Sequence, residues 1–188
     1  MHYRVNAGAL PKDHWIEDAE QGGGRILGEV CHFVDFLSFL CGAAPTAVSA
    51  RCLSSVGGQD VIASLEFADG SQGTISYLCS GDRAFSKERV EVFGGGAVAV
   101  LDDFRRLELV QRGRKSLSRP WLKQDKGHAA EWKAFCASIQ NGRPEPISFE
   151  EIVASTRATI RIVESLRSGH EEMVVNGSRN TISAPLVS

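Results

Sequence analysis

The sequence predicts an α+β fold, a mostly antiparallel open sheet with helices packed on one face. Three observations favour this fold class: short β-rich runs fill the middle of the chain, helical patterns lie on either side of them, and short turns join consecutive runs. Connections this short suit antiparallel neighbours, because parallel strands need a long crossover. With 188 residues and neither a repeat nor a linker, residues 1–188 are expected to form one domain.

The first eight residues are predicted to hold a short strand, and an aperiodic loop follows over residues 9–21. Glycines at 22–24 precede the first helix, which is predicted over residues 25–41. Gly42 and the more distant Pro45 are helix-stop signals. Six further strands are predicted at residues 47–53, 61–67, 73–79, 89–93, 97–101 and 107–111.

Two more helices are predicted at the end of the chain. One covers residues 127–140, and the other begins with a capping box formed by Ser148 and Glu151 and ends near Gly169. Both carry apolar residues at helical spacing, which we expect to face the core. These residues are Trp132, Phe135, Cys136 and Ile139 in the first, and Ile152, Val153, Thr156, Ile160, Val163 and Leu166 in the second.

Composition excludes several classes of partner. Twenty-one Lys+Arg balance twenty-three Asp+Glu with no long block of either sign, so nucleic acid is not an expected partner. No apolar run approaches the roughly 18 residues of a membrane span, and the opening residues lack the apolar region of a signal peptide. We therefore expect no membrane partner and a cytoplasmic protein. The five cysteines are an odd number and widely spaced, which favours reduced, mostly buried thiols.

The nearest approach to a nucleotide fingerprint is the run Gly94-Gly95-Gly96, which follows a strand-like segment. A phosphate-binding loop must open a helix, whereas the residues after this run are β-branched and then acidic. The run is therefore predicted to be a turn between strands. We expect this chain alone to bind neither NAD nor NADP and to have no cofactor of its own.

The first helix carries the best candidate site. One side of its first turns is polar and the opposite side is apolar, which suggests a cleft beside a buried helix. The polar side carries Arg25, Gly28, Glu29, His32 and Asp35. An imidazole changes charge close to physiological pH, so His32 suits proton transfer from a hydroxyl. The alternative is that His32 only bonds a nearby carboxylate, such as Glu29 or Asp35.

Other candidate groups also have two interpretations. His14 and Trp15 could close over a sugar-like ligand, or could simply pack on the surface. His32 has no second histidine one turn away, so a metal site is not expected. Cys31 points about 100° away from His32 on a helix, which favours core packing over a thiolate–imidazole pair.

Four segments of the chain carry a resemblance to a known family: a helix, two strand pairs and the closing helices. Their sequences are GGGRILGEVCHFVDFLSFLCG, LEFADGSQGTISYL, ERVEVFGGGAVAVLDD and EWKAFCASIQNGRPEPISFEEIVASTRATIRIVESL. Together they resemble the Gfo/Idh/MocA (glucose-fructose oxidoreductase, inositol dehydrogenase, rhizopine catabolism) family. The segments YRVNAGALPKDHWIEDAEQGGG and DKGHAAE resemble a subgroup from cell-surface polysaccharide gene clusters.

The resemblance implies that this chain is a C-terminal substrate and oligomerisation domain. In the family, an N-terminal Rossmann domain absent from this chain supplies a lysine and the NAD or NADP site. The implied activity is a dehydrogenase acting on a sugar, sugar-nucleotide or polyol, inactive without that domain.

The resemblance also implies site residues. By position the catalytic histidine of the family falls on His32 and a trailing aspartate on Asp35. The family's preceding aspartate falls on Gly28, so either Glu29 supplies the acid or the subgroup dispenses with it. Catalytic roles are thus expected for His32 and Glu29, and substrate binding for Arg25, Gly28, His14 and Trp15.

A sheet covered on one face leaves the other face available for association, so we expect a homodimer through the open sheet face. Alternate residues of two strands are expected to form it, namely Val61, Ala63, Leu65, Ile75 and Tyr77. The second functional hypothesis is a binding or self-association module with no chemistry of its own.

Overall fold

The computed structural model describes residues 1–11, 14–17, 23–53, 60–119 and 124–174. Within these residues, nine strands form one sheet. They are β1 (His2–Asn6), β2 (Pro45–Cys52), β3 (Val61–Phe67), β4 (Gln72–Leu78), β5 (Glu88–Gly94), β6 (Ala97–Asp102), β7 (Arg106–Gln111), β8 (Arg114–Ser118) and β9 (Glu172–Met173).

The helices confirm the sequence prediction closely. A π-helical turn (Ile26–Val30) leads into α1 (Cys31–Cys41), and α2 (His128–Gln140) and α3 (Phe149–Ser168) follow near the end. α1 ends at Gly42, whose φ of 66° is a left-handed conformation that favours glycine. The predicted capping box begins α3: Ser148 accepts from the Glu151 amide, and the Glu151 carboxylate accepts from the Ser148 amide. In the described part of the chain, no helix is both long and apolar enough to cross a bilayer.

The strand order is β8-β7-β6-β5-β1-β4-β3-β2-β9. β1 lies between β5 and β4 and is parallel to β4, whereas the other neighbouring strands are antiparallel. The predicted α+β class with a mostly antiparallel open sheet is therefore confirmed. The central place of β1 was not predicted, because turn residues specify pairing between strands close in sequence but not the partners of an isolated first strand.

Helices α1 and α3 cover one face of the central strands, and the main core lies between them and the sheet. The expectation for Val61, Ala63, Leu65, Ile75 and Tyr77 was wrong, since all five lie on this covered face and are at most 4% exposed. Alternation along a strand shows which residues share a face. It does not show which face receives the helices.

The buried side of α3 also differs from the prediction. It consists mainly of small residues, namely Ser155, Ala158, Thr159, Ile162 and Ser165, whereas Ile152 and Ile160 are exposed. Small side chains allow close approach, and the Ser165 hydroxyl accepts a hydrogen bond of 2.9 Å from the Ala50 amide in β2. The helix therefore packs by a mixed row of small and apolar residues, and Leu166 of the predicted apolar row also contacts the core.

The apolar residues predicted to bury α2 are largely exposed, with Trp132 at 68% and Ile139 at 66%. They border an apolar groove between α2 and the start of α3. The groove is lined by His128, Glu131, Trp132, Phe135, Glu145, Pro146, Ile147, Phe149 and Ile152. The periodicity of α2 correctly predicts a helix, but its apolar side does not join the core of the described chain.

Candidate active site

His32 lies in the first turn of α1 and is exposed. Its ring forms no hydrogen bond or ion pair with another side chain in the described ranges. The interpretation of His32 as a histidine satisfied by a nearby carboxylate therefore finds no support in the geometry. An exposed imidazole with no such partner is available to exchange a proton with a ligand.

The two carboxylates considered as partners of His32 have other neighbours. Glu29 lies 3.5 Å from the Nε of Arg25, measured from its Oε1. Asp35 accepts a hydrogen bond of 3.3 Å from the Ser155 hydroxyl of α3, which links the two helices. Asp35 thus acts in helix packing, and Glu29 belongs to a pair one turn before His32.

Gly28 occupies an exposed position in the π-helical turn. Its amide donates to the Gly24 carbonyl at 3.1 Å, so the backbone continues into the helix without interruption. Because Gly28 has no side chain, the surface one turn before His32 carries no acid at this position. π-helical turns often occur at functional sites, where they adjust the direction of side chains.

Arg25 is only 6% exposed, although the helical pattern groups it with His32 on one polar side. Its Nη1 donates to the Gly8 carbonyl at 2.9 Å, and its guanidinium carbon lies 5.2 Å from the centre of the Tyr77 ring. Burial by itself lowers the pKa of Arg25, but Tyr77, Cys79 and Glu29 outweigh it and raise that pKa. Arg25 is therefore a permanent buried cation beneath the start of the helix.

Sequence reasoning missed Tyr77, which it assigned to an exposed sheet face. Tyr77 is fully buried, and burial followed by the nearby Glu29 carboxylate raises the pKa of its hydroxyl. A buried tyrosine usually needs a hydrogen-bond partner for its hydroxyl, which was the one available signal that this position differs from its aliphatic neighbours.

The loop residues His14 and Trp15 lie near the start of the same helix. The Gly24 amide donates to the Ile16 carbonyl at 3.1 Å, which joins the loop to the residues before the π-helical turn. Trp15 is 59% exposed, and its ring centre is 5.9 Å from that of His14. The Trp15 ring is thus available to a ligand beside the helix, whereas His14 is half-buried and its Nδ1 accepts a hydrogen bond of 3.3 Å from the Ile16 amide. Gly22 lies outside the described residues.

Two other chemistries at this helix find no support. Cys31 is half-buried, and burial raises the pKa of its thiol, which disfavours a reactive thiolate. Within the described ranges, no group of three His, Cys, Asp or Glu side chains is arranged to hold a metal ion.

The glycine run 94–96 forms the turn between antiparallel β5 and β6, in agreement with the sequence prediction. Its amides do not open a helix, so it lacks the geometry that holds a pyrophosphate. This run therefore does not fit a nicotinamide nucleotide.

Solved structures share this fold at low sequence identity. UDP-N-acetylglucosamine 3-dehydrogenase from Acidithiobacillus ferrooxidans has a TM-score of 0.72 at 18% identity, covering 89% of this chain and 53% of its own. An oxidoreductase from Agrobacterium radiobacter, in complex with NAD+, L-tartaric acid and magnesium, has a TM-score of 0.75 at 14% identity, covering 92% and 56%. Aldose-aldose oxidoreductase from Caulobacter crescentus, complexed with glycerol, has a TM-score of 0.73 at 15% identity, covering 92% and 55%.

This chain therefore spans about half the length of these structures. Among curated proteins no match is found. The family described as GFO/IDH/MocA C-terminal domain matches residues 1–100, which is more than half of the chain. The resemblance noted in the sequence is thus confirmed, and the chain belongs to the GFO/IDH/MocA C-terminal domain family.

Proposed function

We propose that this chain is the substrate-binding part of an NAD(P)-dependent oxidoreductase that acts on a hydroxyl of a sugar, sugar-nucleotide or polyol. The observation that carries the proposal is the exposed His32 ring, which has no side-chain partner among the described residues and lies on the helix that follows the glycines. The structural neighbours of the chain include enzymes named for UDP-N-acetylglucosamine and for aldoses, which supports this substrate class.

Oxidation of an alcohol to a carbonyl releases a hydride from carbon and a proton from oxygen. The nicotinamide nucleotide, bound by residues outside this chain, supplies the hydride acceptor. His32 accepts the hydroxyl proton as general base. Gly28 leaves room for the substrate one turn away. The partly exposed Glu29 acts with His32, and Arg25, which is buried and therefore does not contact the substrate as first expected, holds the Glu29 carboxylate. His14 and Trp15 contribute a polar group and a flat ring, which suit a polyol. Use of a soluble nicotinamide cofactor favours a cytoplasmic protein.

The first test concerns the cofactor. Titrating the 188-residue chain with NADH, and following nucleotide fluorescence, should show no saturable binding up to the millimolar range. The reason is that the glycine run 94–96 is a strand turn and offers no helix N-terminus. A polypeptide that also contains the nucleotide-binding part should bind NADH under the same conditions. Saturable micromolar binding of NADH by the chain alone would contradict the proposal that residues outside this chain bind the nucleotide.

We further propose a homodimer through the helix-free face of the sheet. Residues directly opposite each other on paired strands point to the same face of the sheet. Following these pairs from Ile62 in β3 through β4, β1, β5, β6 and β7 to β8 identifies the residues that lie on the same face as Ile62. The exposed apolar residues of this face are Ile62, Phe93 and Leu117, and ion pairs such as Arg89–Glu91 lie between them. This set replaces the covered residues first expected to form the interface.

For this dimer, Phe93→Asp should shift the chain to monomer in light scattering at tens of micromolar. Phe93 is 65% exposed on the proposed interface, and a charge there would be desolvated on association. Leu109→Asp is the matched control, because Leu109 is 39% exposed on the opposite face. A monomeric unmodified chain, or equal loss of dimer in both variants, would rule out this interface.

A further inference from the structure

Two buried polar atoms near the π-helical turn have no hydrogen bond within 3.5 Å, although the Tyr77 hydroxyl lies near both the Glu29 carboxylate and the Arg25 guanidinium. In the described part of the chain, the Tyr77 hydroxyl and the Arg25 Nε are the buried side-chain atoms of this kind. An unsatisfied buried polar group destabilises a fold, and phenylalanine would fill the same space without a hydroxyl to satisfy. A native protein that keeps such a group gives reason to look for a function.

The surroundings of the Tyr77 hydroxyl identify a candidate partner. The ring packs against the Arg25 guanidinium, whose Nε is 3.5 Å from the Glu29 carboxylate. The Glu29 side chain is 25% exposed and borders the surface of the turn, whereas Tyr77 is fully buried. The hydroxyl stays protonated, as its raised pKa indicates, and is therefore a hydrogen-bond donor close to the Glu29 carboxylate.

The backbone beneath this cluster is paired on both sides within the central sheet. Tyr77 belongs to β4, where it pairs with Val5 of β1 on one side and Val61 of β3 on the other. Glu29, in contrast, lies in the π-helical turn, whose hydrogen bonding departs from that of a regular α-helix. A donor held by the central sheet can therefore define the position of a side chain on an irregular turn.

We propose that Tyr77 is a positioning residue for the reaction: its hydroxyl donates to the Glu29 carboxylate in the substrate-bound enzyme and thereby sets the Arg25–Glu29 pair one turn before His32. This inference rests on the proposed function, and it adds a residue that neither the sequence pattern nor the helix itself identifies. Tyr77 does not touch the substrate. It acts through Glu29.

The test compares two tyrosines of the same sheet face in the full-length enzyme, with UDP-N-acetylglucosamine and an aldose as probe substrates and NAD+ or NADP+ present. Tyr77→Phe should lower kcat about tenfold, the size expected for one hydrogen bond to a charged group, with KM nearly unchanged and the pH profile of kcat altered. The midpoint of chemical denaturation should stay the same or rise, because an unsatisfied hydroxyl has been removed.

Tyr3→Phe is the matched control. Tyr3 is also buried, at 2% exposed, but its hydroxyl already donates to the buried Glu88 carboxylate. This variant should lower the denaturation midpoint and leave kcat and its pH profile as they are. Tyr77→Phe is therefore expected to lower kcat without lowering stability, whereas Tyr3→Phe is expected to lower stability without changing kcat.

Full kcat in Tyr77→Phe, or a loss of stability like that of Tyr3→Phe, would overturn the inference. If His32→Ala still abolished turnover in that case, the proposed function would stand without Tyr77. No turnover of either probe by the unmodified enzyme, or full turnover after His32→Ala, would refute the proposed function and the inference with it.

Discussion

Replacing His32 by alanine in the full-length enzyme should lower kcat by roughly 10² to 10⁴, the usual contribution of a positioned acid–base group. The ring is exposed and has no described side-chain partner, so the substitution should hardly affect folding. Steady-state oxidation of a sugar or sugar-nucleotide substrate measures the loss, and thermal unfolding of both proteins provides the control. Unchanged turnover would favour the second hypothesis, a binding or self-association module.

Glu29→Gln extends this experiment to the acidic residue that the family resemblance places at Gly28. If Glu29 orients or charges His32, its loss should approach that of His32→Ala, and the double variant should be little worse than either single one. The Glu29 carboxylate lies 3.5 Å from the Arg25 Nε, which allows a second role for Glu29 as the partner of Arg25 alone. A carboxylate that only pairs with Arg25 would give a few-fold loss of activity and a loss of stability of about 1 kcal/mol or more, because the buried Arg25 cation would lose its charged neighbour.

The largest expected effect on stability is that of Leu37→Ala. Leu37 is fully buried in α1 and its Cδ1 lies over Gly73 of β4, so the substitution would leave a cavity between helix and sheet. Truncation of a buried leucine costs about 2–5 kcal/mol. Chemical denaturation of the 188-residue chain, with the slope of the transition checked for constancy, measures the free energy of unfolding.

Leu40→Ala is the matched control, because Leu40 lies in the same helix but is 40% exposed. Its truncation should cost no more than about 1 kcal/mol, since little enclosed space is created. Equal destabilisation by the two substitutions would mean that the core does not lie between α1 and the sheet as described.

Local chemistry by itself determined most of the helices, strands and turns of this protein. The helix ends at Gly42 and Gly169, the capping box at Ser148 and the turn at 94–96 depend on residues within a few positions of one another. Such contacts form with little help from the rest of the chain, so the sequence predicts them well. Helical spacing and the chemistry of imidazole likewise made His32 a candidate, and its catalytic role, which the family resemblance implies, stays a prediction.

The tertiary structure alone decided which faces are buried. The alternating residues of β3 and β4 could have pointed to either side of the sheet, and α3 could have packed by its larger apolar row. Instead Ser165 bonds the backbone of β2, and Ser155 bonds Asp35 of α1. These partners are far apart in sequence, and no local pattern encodes their meeting.

The candidate site likewise combines features that the sequence determined with features that only the tertiary structure decided. The sequence placed Arg25, Glu29 and His32 on one helix, but only the fold separates the buried Arg25 from the exposed His32 and brings Tyr77 beneath them. Tyr77 reaches this position because β1 inserts beside β4 and because α1 covers that face of the sheet. Long-range strand pairing and helix docking are set by the total burial of the chain, a property that residue spacing along one segment does not contain.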